Sequence, residues 1–132
     1  IEHVFKFCVN SHSCVNTPAQ YGAIAALEGP EDHLNNMLKE FTARRKLIFD
    51  GFKSLKGIEC SLPEGTFFVF PNVKGTGMNG EEFSDKCLQE AGVAMIPGTA
   101  FGKFATDHVR FNFATSRANI TAAIEKIDKM LQ

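Results

Sequence analysis

The run Val109-Arg110-Phe111-Asn112-Phe113-Ala114 alternates apolar and polar residues. That period of two is the signature of a strand with one buried face. Val109, Phe111 and Phe113 share one face, and Arg110 and Asn112 share the other. A chain carrying such a strand must build a sheet and cover one side of it. The arginine in its middle needs a reason. A guanidinium is always charged and presents a rigid fork of donors that fits a carboxylate two-pronged. A solvated arginine on an edge strand satisfies the same pattern, so both readings stand at this point.

The rest of the chain supplies what covers that face. Ile1, Val4, Phe5 and Cys8 recur at helical spacing, although the run is also β-rich, so helix and strand both remain open there. Detached from a partner, its apolar face is uncovered, and a frayed or non-natively packed segment is expected. Asn10 to Thr17 reads as a polar loop. Thr17 before Pro18 reads as a cap and a favoured first helical residue, opening an alanine-rich helix that Gly29-Pro30 stops. Pro30 to Leu55 holds the longest helical signal. Its apolar stripe is Leu34, Met37, Leu38, Phe41, Leu47, Ile48, Phe52 and Leu55. Arg44-Arg45-Lys46 forms a basic knot midway, either an anion site or a solvated face with intrahelical pairs such as Glu40 to Arg44. The solvated face is the simpler reading.

Downstream, Ile58 to Leu62 and Thr66 to Phe70 read as strands around a Pro63-Glu64-Gly65 turn, with Pro71 ending the second. Gly75-Thr76-Gly77 lacks the frame of a phosphate loop and is read as surface. Glu81 to Ala91 reads as a helix with Phe83, Cys87 and Leu88 on one face and Gly92 as its stop. Val93 to Ile96 is a short strand, followed by a loop from Pro97 to Asp107. Thr115-Ser116 caps a last helix with an Ile120, Ile124, Ile127 and Leu131 stripe. Helices and strands in this order predict an α+β fold: a small mixed or antiparallel sheet of about four strands with helices on one face, one of them long.

At 132 residues the chain is long enough for one real core. A net charge of −1 gives no reason to expect nucleic acid as a partner. No apolar run approaches the roughly 20 residues that span a bilayer, so no membrane partner is expected. The four cysteines and four histidines fall in no metal-ligand spacing, so no metal is expected. The thiols, Cys8, Cys14, Cys60 and Cys87, read as free and buried. With no basic-then-apolar leader in view, they lead to an expectation of a cytoplasmic location. The chain opens on Ile1, inside a helical pattern, which leads to the expectation of a piece of a longer protein. Thirteen phenylalanines and no tryptophan make a phenylalanine-dominated core.

Four segments in order resemble one family. They are S-H-S-C-V-N-T-P-A-Q-Y-G-A-I-A-A-L-E-G-P, then F-T-A-R-R-K, then P-E-G-T-F-F-V-F-P, then P-G-T-A-F-G followed by H-V-R-F-N-F-A-T-S. This series resembles the C-terminal part of the fold-type I, class I/II pyridoxal-phosphate aminotransferases. The resemblance implies that residues 1–29 lead from a large domain absent here and that residues 30–132 form the small domain. It implies amino-group transfer between an L-amino acid and a 2-oxo acid, and a homodimer in the full-length form. It places Arg110 at the position that grips the substrate's α-carboxylate. Gly98 and Gly102 then let the loop pass close to the site, Phe101 packs beneath it, and Asn112 is either a further polar contact or a strand residue only.

A pyridoxal-phosphate enzyme needs a lysine for the cofactor, an acid for its pyridine nitrogen and a phosphate cup. None of the ten lysines lies in the family's serine- and lysine-containing motif. No catalytic residue is therefore expected in this fragment, the cofactor-binding residues are unassigned, and the chain alone is expected to be inactive. Two alternatives accompany this reading. One is a lyase or synthase using the same cofactor on the same fold. The other is a non-enzymatic α+β interaction domain whose apolar N-terminal stretch is a partner surface.

Overall fold

The computed structural model describes all 132 residues, which divide into two compact units, Ile1–Asn35 and Asn36–Gln132. The first holds two helices, α1 (Glu2–His12) and α2 (Thr17–Glu28), and neither buries a residue. The N-terminal run is thus a regular helix and not a frayed one. It also continues into the expected polar loop as far as His12. Asn10 Nδ2 and Ser11 Oγ donate to the carbonyls of Lys6 and Phe7, four residues back, which satisfies these polar side chains within the helix. Ser13, at φ 60°, then ends it. The cap of α2 is Asn16 and not Thr17. Its side chain accepts from Ala19 N at 2.8 Å, and asparagine is the stronger capping residue of the two.

A third helix, α3 (Asp32–Ser54), follows, and its carboxyl-terminal half carries the core of the second unit. Ile48 and Phe52 are fully buried and Leu55 nearly so, whereas Leu34, Met37 and Leu38 are exposed. The expected stripe is therefore covered over its later turns only. The basic knot is paired residue by residue. Arg44 bonds Glu40, Arg45 donates to the Pro63 carbonyl, and Lys46 bonds Asp50.

The sheet has three strands where about four were expected: β1 (Phe68–Val69), β2 (Ile96–Pro97) and β3 (Val109–Asn112), all antiparallel in the order β1-β3-β2. Ile58 to Leu62 pairs through a single bridge, Glu59 with Asn72, in which each backbone N–H donates to the other's carbonyl. Thr66, at φ 64°, delays β1, and Pro71 ends it because proline has no donor for the ladder. β2 starts at Ile96 and not at Val93, because only Ile96 and Pro97 find ladder partners, Arg110 and Val109. The preceding helix, α4 (Gly80–Lys86), passes into a wider π turn over Cys87–Ala91, and Val93 N donates back to the Cys87 carbonyl. The widened turn also leaves Leu88 exposed, in contrast to the expected face, while Phe83 and Cys87 are buried. Gly92 closes the turn in the left-handed region, at φ 63°.

The last helix, α5 (Arg117–Leu131), is capped by Ser116, and Ile120 and Ile127 reach zero exposure. Val109, Phe111 and Phe113 on one face of β3 join Ile48, Phe52, Phe83, Ile120 and Ile127 in one core. Two glycines are required by close approach. A Cβ on Gly57 or Gly75 would run into the other's backbone, so the Gly75-Thr76-Gly77 loop is a packing seam against the end of α3. The thiols differ from the expectation of burial. Cys8, on the uncovered helix α1, and Cys14, in the loop after it, are exposed, and Cys60 is half-buried. Burial pushes the Cys87 thiol up to about 12 and Cys60 up to about 11, so both stay protonated at neutral pH.

Glu40 ties α3 to α5. Its carboxylate accepts from Arg117 at 2.6 Å and from Arg44 at 2.8 Å. The Arg117 guanidinium first, then Arg44, holds the carboxyl down from 4.5 to about 2. A depressed carboxyl contributes stability that is complete above its unfolded value and lost as pH falls through the folded one. The unfolding temperature of the wild type is therefore expected to exceed that of Glu40→Gln above pH 4.5, with the two curves converging as pH approaches 2. Parallel curves across that window, in thermal melts at stepped pH, would show that the pair contributes nothing.

Candidate functional site

The outer face of the sheet, opposite the core, is set by strand register. Phe68 pairs with Asn112 and Ile96 with Arg110, and the Asn72–His108 bridge continues the β1–β3 register. Residues directly opposite share a face, so Phe68, Phe70, Asn72, Ile96, His108, Arg110 and Asn112 all point away from the core. Arg110 lies on the central strand, which removes the edge-strand reading of this residue.

The loop after β2 brings a further ring over the same face. Gly98–Phe101 forms one 3₁₀ turn. Gly98 N donates to the His108 carbonyl at 2.7 Å, and a Cβ on Gly98 would strike the carbonyls of Ala105 and His108, so only glycine allows this approach. Gly80 N likewise donates to the Thr106 carbonyl, and Thr99 Oγ1 donates to Glu81 Oε1 at 2.8 Å. These bonds hold the loop to the start of α4. Phe101 is thereby delivered against Arg110, with the guanidinium carbon 4.4 Å from its ring centroid. Phe68 approaches the same carbon at 4.3 Å.

Arg110 is half-buried and makes no ion pair with any carboxylate of the chain. Its charge is stacked, and its N–H edges have no anionic partner here. Asn112 is otherwise engaged: its Oδ1 accepts from Ala114 N at 2.7 Å, which shapes the turn after the strand. His108 stacks on Phe70 at 5.2 Å with an interplanar angle of 12°, and its buried Nδ1 has no hydrogen-bond partner. Sequence reasoning singled out Arg110, Gly98, Gly102 and Phe101 but passed over Phe68, Phe70 and His108. The alternation within Thr66-Phe67-Phe68-Val69-Phe70 was the available signal, since it sends Phe68 and Phe70 to the face opposite Val69.

A groove of about 610 Å³ lies elsewhere, between α3 and the start of α5, with Lys39, Arg45, Lys46, Leu62 and Arg117 in its wall. Three of its cations are already engaged by Pro63, Asp50 and Glu40. The free cation on the sheet face is the better candidate for recognising an anion.

Residues 8–127 match the family model described as aminotransferase class I and II. The chain belongs to the class I and II aminotransferases. It is 41% identical over 115 residues to the aspartate aminotransferase of Pyrococcus horikoshii, covering 86% of this chain and 29% of that protein. The aspartate aminotransferase of Pyrococcus abyssi is 36% identical over 134 residues, covering 100% of this chain and 34% of its own length. Among solved structures, an aromatic aminotransferase from Pyrococcus horikoshii superposes with a TM-score of 0.91 at 34% identity, over 98% of this chain and 35% of that one. The chain thus spans about a third of the length of the relatives it matches.

Membership of this aminotransferase family implies pyridoxal phosphate as the cofactor. The residues present do not form a place for it. Nine of the ten lysines are exposed, and the tenth, Lys86, is half-buried at the end of α4, away from the sheet face. A lysine that forms an imine must be neutral, which demands desolvation or a cationic neighbour, and no lysine of the chain is fully buried. No helix is long and apolar enough to cross a membrane.

Proposed function

We propose that this chain is the carboxylate-recognising part of an aminotransferase that moves an amino group between an L-amino acid and a 2-oxo acid. In this reading residues 30–132 are its small domain, and residues 1–29 lead from its large domain. The observation that carries it is Arg110: a permanent cation on the central strand, half-buried, stacked on two rings and lacking an anionic partner in its own chain. Such a group accepts an α-carboxylate through two parallel, charge-assisted hydrogen bonds. Two bonds to one planar group fix the rotation of the amino acid as well as its position, which sets the direction in which the Cα–H bond points. Amino acid and 2-oxo acid both carry this carboxylate, so one clamp serves both half-reactions.

The chain alone performs no transfer in this reading, because it supplies no lysine suited to the cofactor. The exposed apolar residues of α1 and α2, among them Phe5, Phe7, Tyr21 and Leu27, are covered in the complete homodimeric enzyme. A homodimer is part of the proposal, as is a cytoplasmic location. Relatives carry the names of aspartate, aromatic and alanine aminotransferases, so this reading leaves the side-chain preference to residues other than Arg110. Membership of an enzyme family weighs against the interaction-domain alternative.

The test uses the complete protein loaded with pyridoxal phosphate, assayed with L-aspartate, L-alanine or L-phenylalanine and 2-oxoglutarate. A new amino acid is the expected product. Elimination or decarboxylation without transfer would favour the lyase reading. The 132-residue chain, mixed with cofactor and dialysed, is expected to keep no cofactor absorbance. A stoichiometric band would mean that one of its own lysines does hold the group.

A further inference from the structure

We propose that Phe68 and Phe101 are positioning residues of the carboxylate clamp, fixing the plane of the Arg110 guanidinium before substrate arrives. This rests on the carboxylate-clamp reading of Arg110. The guanidinium carbon lies 4.3 Å from one ring centroid and 4.4 Å from the other, well inside the roughly 6 Å range of cation–π attraction. Rings stacked on a flat cation leave its N–H edges open, and the edges are where a carboxylate binds two-pronged. A free arginine must be ordered when its ligand binds, whereas one already stacked is ordered beforehand.

Each ring has its own anchor. Phe101 meets Phe70 edge-on at 5.9 Å and 80°, and Phe70 lies flat on His108. The turn bearing Phe101 is held by the Gly98 N–H on the His108 carbonyl and by Thr99 on Glu81. His108 therefore fixes Phe101 twice, through its ring by way of Phe70 and through its backbone by way of Gly98. On the other side, Phe68 follows Thr66, a β-branched residue at φ 64°. Threonine rarely adopts this conformation, and it persists only where surroundings impose it. Its hydroxyl accepts from Phe68 N at 2.9 Å, so the strained turn sets the direction of the Phe68 backbone. Phe68 and Phe101 come from segments far apart in sequence and converge on one side chain. Core packing does not require this: both rings lie on the face away from the core, and Phe101 is 48% exposed.

The experiment is steady-state kinetics of the complete, cofactor-loaded enzyme with Phe101→Ala, Phe101→Tyr, Phe68→Leu and Arg110→Ala. The substrate is whichever of L-aspartate, L-alanine and L-phenylalanine it turns over. Binding of that substrate's α-methyl derivative, which keeps the carboxylate, and of its decarboxylated amine, which lacks it, is titrated in parallel. Phe101→Ala and Phe68→Leu are expected to raise KM and the Kd of the α-methyl derivative about ten-fold. They should leave kcat and the binding of the amine within about three-fold and the unfolding temperature unchanged. Phe101→Tyr keeps a flat ring and should restore the wild-type KM. An equal loss of affinity for the amine, a failed rescue by tyrosine, or an unchanged KM in Phe101→Ala would each overturn the proposal. If Arg110→Ala raises KM while the ring variants do not, the clamp stands and only the positioning role falls. If Arg110→Ala leaves KM unchanged, the clamp itself falls and the positioning role with it.

Discussion

Arg110→Ala in the complete enzyme is expected to raise KM for the amino acid between about 30-fold and several thousand-fold, equivalent to about 2–5 kcal/mol. That range is the usual consequence of removing one partner from a desolvated, hydrogen-bonded charge pair. Much of it is the penalty on the carboxylate left without its cation. The loss should appear for amino acid and 2-oxo acid alike, since the proposed clamp would hold the group they share. Arg110→Lys restores the charge but not the fork or the flat face that stacks on Phe68 and Phe101. It should therefore recover only part of the loss. Steady-state kinetics on the three proteins reads this directly. A KM unchanged in Arg110→Ala would remove the central residue of the proposed function.

Phe52→Ala is expected to destabilise the folded chain by about 3–5 kcal/mol, in line with other fully buried aromatic truncations. Phe52 has zero exposure and meets Phe111 edge-on at 5.4 Å and 70°. Phe111 is the residue after Arg110 on the central strand, on its buried face. The cavity would thus open directly beneath the strand that carries the clamp, where helix and sheet cannot close the gap without shifting β3. Phe52→Leu retains most of the volume and should lose less than about 1.5 kcal/mol. In urea, Phe52→Ala should lower the midpoint with an unchanged slope, the mark of lost stability rather than a changed unfolded state. A midpoint within error of wild type would show that this contact is dispensable.

The helices were legible because their signals are local. The 3–4 spacing from Phe41 to Leu55, the Gly29-Pro30 stop, the serine before α5 and the glycine after the π turn each act within a few residues. The errors fall where two local signals compete or where a distant partner decides. Asn16 takes the cap from its neighbour by the reach of its side chain. Leu88 turns outward because the helix widens into a π turn. Ile58 to Leu62 has β-prone residues but pairs only once, since strand length is set by the partner and not by the segment itself.

The site divides in the same way. The alternation around Arg110 was sufficient to place the arginine on a face opposite the apolar residues, and the ordered motifs were sufficient to indicate the family. Those statements need only the period of a strand and the identity of residues along the chain. The central place of β3 in the sheet, the pairing that puts Phe68 and Phe70 beside Arg110, and the glycine-pinned turn that swings Phe101 against the guanidinium come from the tertiary structure alone. Strand order and ring stacking join residues some forty positions apart, such as Phe68 and Arg110, and no local period along a chain encodes which distant face a side chain will meet.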